Sequence, residues 1–246
     1  MPSIYLSPST QENNLYVTGG TEEQYMNLLT DQIVPYLQSS GITYSRNTPD
    51  MTAASSIRAS NSGNYNLHLA LHSNAAPEGR YGQVRGIDVY YYPGSGLGER
   101  AARLIANNLK AIYPLPNLVR AVPNTTLGEL RLTKAPAVFL ELAYHDNKDD
   151  ANWITSNLPE IGRNIAGSLT ELFGLPLVPP QQEAAAVVST QGGNLNLRSR
   201  PSTSASVIAS LPNGTRVTVL GQWQDWATVA YQNLVGFAYM MYIRIL

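Results

Sequence analysis

The sequence predicts an α/β domain with a mainly parallel, twisted sheet and helices on both faces, followed by a small all-β barrel. Three observations predict it. Two apolar runs, Leu67 to Ala75 (LHLALHSNA) and Pro136 to Leu142 (PAVFLEL), have the texture of strands buried on both faces. Strand-like and helix-like patterns alternate up to Gly174, which implies a parallel sheet. After Val187 the texture changes to short alternating segments separated by Gly, Pro, Asn and Asp, which is the spacing of a small barrel.

Composition sets the bounds. The chain has 246 residues, which suits one α/β domain plus a smaller module. With 43% hydrophobic and 13% charged residues it can bury a sizeable core and is not of disordered composition. A formal net charge of −1 gives no footprint for nucleic acid or an anionic membrane. Cysteine is absent, so disulfides and thiolate metal sites are excluded, and any metal must use His, carboxylate or amide ligands. The N-terminus MPSIYLSPST has neither a basic start nor a long apolar region, and no stretch of about 18 apolar residues follows. We therefore expect no membrane insertion and no export signal within this chain.

In chain order, Ile4 to Leu6 is a short strand that runs into the turn-rich segment SPSTQENN. Thr21 opens a helix with Gln24 at capping-box spacing, and Tyr25, Leu28, Leu29, Ile33, Tyr36 and Leu37 form an apolar stripe. Gly41 ends that helix, and Pro35 is expected to kink its last turns. Glu22 and Glu23 lie in the first turn, where the helix dipole alone would favour carboxylates. Ile42 to Arg46 reads as a strand, Asp50 to Asn61 as a short helix, and Leu67 to Ala75 as a central strand delivering His72 to its carboxyl end, where ligands of such sheets bind. Gly86 to Tyr92 is a strand near a sheet edge, and Ser95 begins an amphipathic helix stopped by Pro114. Asn117 to Lys134 reads as a long irregular loop suited to substrate contact. Pro136 to Leu142 carries Glu141 in an apolar setting, where a carboxylate needs a cation, a metal or a proton-transfer role. Helices over Asn147 to Thr155 and Pro159 to Phe173 close the first domain. The expected domains are residues 1–174, a proline-rich linker at 175–186 and the barrel at 187–246.

The stretches GTEEQYMNLL, LHLALHSNA and PAVFLELAYHDN, in that order, resemble the zinc-dependent N-acetylmuramoyl-L-alanine amidases of the amidase-3 family. LNLRSRPSTSASVIASLPNGTRVTVL, Trp223, Trp226 and VGFAYMMYI resemble a bacterial SH3 domain, a module that commonly binds cell wall. The resemblance implies hydrolysis of the amide between N-acetylmuramic acid and the L-alanine of the stem peptide by a metal-activated water. It implies that Glu23 and His72 bind Zn2+, that Glu141 is the general base and acid, and that Asn74 and Arg131 lie near the substrate. Family members usually supply a further zinc histidine from a turn after the first strand, whereas SPSTQENN contains none. Direct register puts Thr10 there, and one extra loop residue puts Gln11 there. Gln11 is the preferred third ligand because its longer side chain and carbonyl oxygen can reach a metal. His68 and His145 are the other imidazoles that could compensate, although both read more simply as packed or solvated residues. The expected partner is peptidoglycan, with no nucleic acid and no protein partner indicated. Action at the bacterial cell wall is expected, through a removed leader or release as a phage-type lysin. The alternative is a peptidoglycan-binding pseudoenzyme that has lost a zinc ligand.

Overall fold

The computed structural model describes residues 1–246. The chain divides into a larger unit, residues 3–33 and 44–172, and a smaller unit, residues 1–2, 34–43 and 173–246.

In the larger unit the elements follow as β1 (Ser3–Pro8), α1 (Glu22–Ser39, running on past residue 33), β2 (Thr43–Arg46), α2 (Ala53–Ser62), β3 (Leu67–Asn74), β4 (Ile87–Tyr91), α3 (Gly96–Leu109), β5 (Val119–Pro123), α4 (Gly128–Arg131), β6 (Ala137–Tyr144), α5 (Lys148–Ser156) and α6 (Leu158–Phe173). The sheet order is β2-β1-β3-β6-β4-β5. β1, β3 and β6 are mutually parallel, β4 runs antiparallel to β6, and β5 is parallel to β4. The fold class is the expected one, with a single antiparallel junction. β4 lies one strand in from the edge, near it as its sequence predicts. The edge belongs to β5, inside the segment expected to be an irregular loop, and the same segment folds the short helix α4. The polar residues of that segment hid a strand whose register with β4 supplies the order that its own composition lacks.

Period two gives the sheet two unlike faces. On one face Ile4, Leu6, Leu67, Leu69, Leu71, Val89, Val138 and Leu140 are fully buried. On the other, the residues in register are Ser7 with Ala70, His72 with Glu141, and Glu141 with Asp88. A single apolar-looking strand, LHLALH, thus presents Leu to one side and His, Ala, His to the other. The polar side is sealed by α2 and α4, with Leu130 packing on Ala70, Ala137 and Phe139.

Helix α2 carries a capping box between Thr52 and Ser55. The helix at α1 is capped at Gln24 N by the Thr21 hydroxyl, as its sequence suggests, and it continues beyond Pro35. Close packing of α6 on α1 requires Gly162, where a Cβ would lie 2.5 Å from the Gln32 Cβ.

The smaller unit is a seven-stranded antiparallel sheet in the order β13-β7-β10-β11-β12-β8-β9. Its strands are β7 (Ala184–Val188), β8 (Leu195–Arg198), β9 (Val207–Leu211), β10 (Arg216–Trp223), β11 (Trp226–Tyr231), β12 (Leu234–Tyr239) and β13 (Ile243–Ile245). Its core contains Val188, Leu195, Leu197, Leu211, Val229 and Ala238. The sheet begins at Ala184, inside the segment expected to be a linker. Val178 in that segment is buried, with its N–H donating to Ser40 Oγ and its carbonyl accepting from Ser39 Oγ. Thr228 Oγ1 donates to the Ser39 carbonyl, so the 34–43 segment is built into this unit by hydrogen bonds.

Candidate active site

His72 is the third residue from the end of β3, near the carboxyl end of the parallel strands, and is 8% exposed. Its Nδ1 is 2.8 Å from Glu22 Oε1, and its Nε2 is 3.3 Å from Glu129 Oε2. Phe139 stacks on the ring with centroids 4.2 Å apart and planes 12° from parallel. Burial alone would push the imidazole down, but hydrogen bonds and charge from Glu129 and Glu22 outweigh it and raise His72 to about 10.

The two carboxylates are themselves buried. Burial would raise Glu129, yet His68 and His72 outweigh that and lower it to about 2. Glu22 is likewise held below the usual range, against burial, by His72 and by Asn14. Asn14 Nδ2 donates to Glu22 Oε2 at 2.6 Å and to Gln11 Oε1 at 3.0 Å. The Gln11 amide nitrogen lies 3.4 Å from His72 Nδ1.

Glu141 lies directly across from His72 in the β3–β6 register and across from Asp88 in the β6–β4 register. Its Oε2 is buried without a hydrogen-bond partner. Burial pushes its carboxyl up to about 8, with Glu22 and Asp88 adding to the rise and His72 opposing it. Asp88 is paired with Arg120, whose Nε and Nη2 donate to its two oxygens at 2.9 and 3.0 Å.

The expected residues divide as follows. His72, Gln11 and Glu141 come together, and Glu22 occupies the place expected for Glu23. Glu23 is half-buried and makes neither a hydrogen bond nor an ion pair with His72. Successive helix residues point about 100° apart, so one of the two carboxylates must turn away. The signal was available in the sequence: Glu22 lies four residues before Met26 on the stripe that continues through Leu29 and Ile33, all buried. Asn74 Oδ1 accepts from its neighbour Ala75 N, and Arg131 is exposed on α4. His68 is buried behind the site, with Nε2 3.2 Å from Glu129 Oε1 and Nδ1 2.9 Å from Ser60 Oγ. His145 packs on Tyr16 and contacts Ser73. Glu129, within the expected loop, had no sequence signal of its own.

No three His, Cys, Asp or Glu side chains are arranged to hold a metal ion. The donor set nevertheless suits a cation. Glu22, Glu129 and Glu141 surround one imidazole, a buried surplus of negative charge, and Glu141 Oε2 is an orphaned acceptor. His72 Nδ1 and Glu22 are two strong donors side by side, and Gln11 turns its amide nitrogen rather than its oxygen towards them, so the set is one His or carboxylate short of the three protein donors usual at a catalytic zinc.

The smaller unit holds a cavity of about 740 Å³ whose lining includes Asn194, Arg198, Trp226, Tyr239 and Tyr242. Trp226 and Tyr239 meet edge to face at 5.5 Å.

Fold and site together define a layered α/β domain with a histidine and carboxylate cluster at the carboxyl ends of parallel strands, followed by a small β module. Residues 9–171 match the N-acetylmuramoyl-L-alanine amidase family, and residues 193–244 match the bacterial SH3 domain. The chain belongs to the N-acetylmuramoyl-L-alanine amidase family. It is 25% identical over 211 residues to an uncharacterized protein of Clostridium perfringens, covering 77% of this chain and 62% of that relative's length. The amidase AmiC2 of Nostoc punctiforme has a similar fold, with TM-score 0.61 and 14% identity over 70% of this chain and 97% of that one. The catalytic domain of an endolysin targeting Clostridia difficile is also similar, with TM-score 0.57 and 21% identity over 70% and 98%. No helix is long and apolar enough to cross a membrane.

Proposed function

We propose that the protein is a peptidoglycan amidase that cleaves the amide between N-acetylmuramic acid and the L-alanine of the stem peptide, acting at the bacterial cell wall. One observation supports this reading: Glu141 stands in register with His72 at the strand ends, half-buried, with one oxygen buried and unpartnered. A carboxylate kept in that setting is costly unless it handles a proton or faces a cation.

In this reading His72 Nδ1 and Glu22 would hold Zn2+, with Gln11 as the candidate third group. When bound, the metal supplies a Lewis acid that polarises the amide carbonyl and makes water a better acid, towards a pKa of ~7. Glu141 accepts the proton of the attacking water and returns it to the departing L-alanine nitrogen, which cannot leave as an anion. Phe139 holds the His72 ring flat, and Asp88, satisfied by Arg120, adds charge beside Glu141 that strengthens its basicity. Asn74 and Arg131 remain candidates for substrate contact at the rim. The bacterial SH3 module keeps the enzyme on its polymeric substrate, and its aromatic cavity is the candidate contact with the wall.

The test is incubation of the zinc-loaded protein with purified peptidoglycan. Release of stem peptides bearing a new L-alanine α-amino group, with intact glycan strands, is the expected result. A binding protein without turnover is the second reading, favoured by the lack of a third His, Asp or Glu donor. Retention on peptidoglycan with no new amino ends would establish it.

A further inference from the structure

We propose that Arg120 is a specificity-determining residue that receives a carboxylate of the stem peptide, one residue beyond the L-alanine. The proposal rests on the reading of this cluster as a peptidoglycan site and needs no metal.

Strand register places four side chains in one row across the polar face of the sheet. His72 on β3 pairs with Glu141 on β6, Glu141 with Asp88 on β4, and Asp88 with Arg120 on β5. The row is closed at one end and open at the other. Beyond His72 stands Glu22, whose side chain is 1% exposed, whereas the Arg120 side chain at the sheet edge is 66% exposed. A peptide that reaches Glu141 therefore extends towards β5. Neighbouring strands are about 4.8 Å apart, so the Arg120 backbone lies roughly 10 Å from that of Glu141. An extended peptide covers about 7 Å in two residues, which brings the residue after L-alanine within reach of the long arginine side chain.

The guanidinium is held ready for this. It has two edges that can grip a carboxylate, one formed by Nε and an Nη and the other by the two Nη groups. Asp88, itself buried, takes the first edge through Nε and Nη2, and the Tyr90 hydroxyl donates to Asp88 Oδ2 at 3.3 Å. Arg120 Nη1 makes no hydrogen bond, so the second edge is free. Burial raises the half-buried Tyr144 phenol, Asp88 and Glu141 add to the rise and the Arg120 cation opposes it, so this ring lies among all three. Glu22 and Asp88 would repel an anionic peptide, and Arg120 is the cation at the end of the row where such a peptide enters.

The experiment measures, by calorimetry, the binding of two probes to the full-length chain, with a chelator present so that neither is cleaved. Both are N-acetylmuramoyl dipeptides of L-alanine followed by D-glutamate with its γ-carboxyl amidated. The α-carboxyl is free in one and amidated in the other. Unmodified protein should prefer the free carboxylate about tenfold, the low end for a hydrogen bond to a charged group. Arg120→Gln should abolish the preference while leaving affinity for the fully amidated probe nearly unchanged. Arg163→Gln, an equal loss of charge on the exposed side of α6, should keep the preference. Should the unpaired Asp88 unfold the Arg120 variant, the double change with Asp88→Asn removes that charge and should show the same loss of preference. No preference in unmodified protein, or a preference that survives in a folded Arg120→Gln variant, would overturn the proposal and leave Arg120 as a partner of Asp88 alone. Failure of both probes to bind would instead overturn the peptidoglycan reading, and this proposal with it. A preference without turnover on zinc-supplied peptidoglycan would support both the binding-protein reading and the role of Arg120.

Discussion

At the scale of the residue, Glu141 has the most consequences. Glu141→Gln should preserve the fold and zinc uptake while lowering hydrolysis by about 100-fold or more, the scale of general acid and base groups, as measured by release of amino ends. The same side chain leaves a mark on stability. Its carboxyl is raised from 4.5 to about 8, so between those values the folded metal-free protein holds a proton that the unfolded chain has released. Stability therefore falls as pH rises through that window. His72, raised from 6.5 to about 10, also gives stability that is full below 6.5 and lost as pH rises through 10. Denaturant titrations should show the decline between pH 4.5 and 6.5 vanish in Glu141→Gln and the decline above pH 6.5 persist. Gln11 offers a second test. Its carbonyl is engaged by Asn14 and its amide nitrogen faces His72, so a zinc ion would have to displace a settled network. Gln11→His should raise zinc affinity at least tenfold, measured by occupancy after dialysis, because imidazole replaces a neutral amide; unchanged occupancy would remove the position from the site. Which of two adjacent carboxylates enters the site was legible from the buried stripe through Met26 and Leu29, but only once Glu22 is counted as part of that stripe.

At the scale of the element, β6 carries the strain of the site. Against β3 the pairing steps from His72 with Glu141 to Asn74 with Tyr144, so β6 has one extra residue there. Ala143 occupies this bulge with φ of 58° and is fully buried. A non-glycine residue in that conformation costs roughly 1–2 kcal/mol. Ala143→Gly relieves this but loses a buried methyl, worth about 0.8 kcal/mol, and adds freedom to the unfolded chain, worth about 0.4–1 kcal/mol. The sum should lie within about 1 kcal/mol of zero. Ala137→Gly on the same strand has no strain to relieve and should cost about 1–2 kcal/mol. Equal losses at the two positions in thermal unfolding would show that the bulge stores no strain. The central strands were legible because apolar runs of their length have few other uses. β5 and α4 were not, because they owe their order to β4 and to packing on Phe139 rather than to local pattern. Glu129 came into view only with them.

At the scale of the whole molecule, the class of each half was legible from texture alone, whereas the border between them was not. Prolines and small residues at 175–186 read as a linker, yet β7 begins at Ala184 and lies between β13 and β10. A fragment of residues 187–246 lacks most of β7 and should show neither cooperative unfolding nor binding to sacculi. A fragment beginning at residue 173 keeps all seven strands and should be better ordered, though it still lacks the Ser39 carbonyl that accepts from Thr228. Circular dichroism melts of the two fragments decide this, and a sharp transition in the shorter one would show β7 to be dispensable.

The inclusion of residues 34–43 in the smaller unit bears on synthesis. On a ribosome, the tail of α1 emerges long before the strands with which it is grouped, more than a hundred residues ahead of β7 in the sequence. The smaller unit can complete itself only when the last strand arrives and finds that early segment already waiting. Its final shape is thus a late event in the life of the nascent chain, and cutting the sequence at the proline-rich border to transplant the smaller unit would leave behind a piece that the transplanted sheet requires.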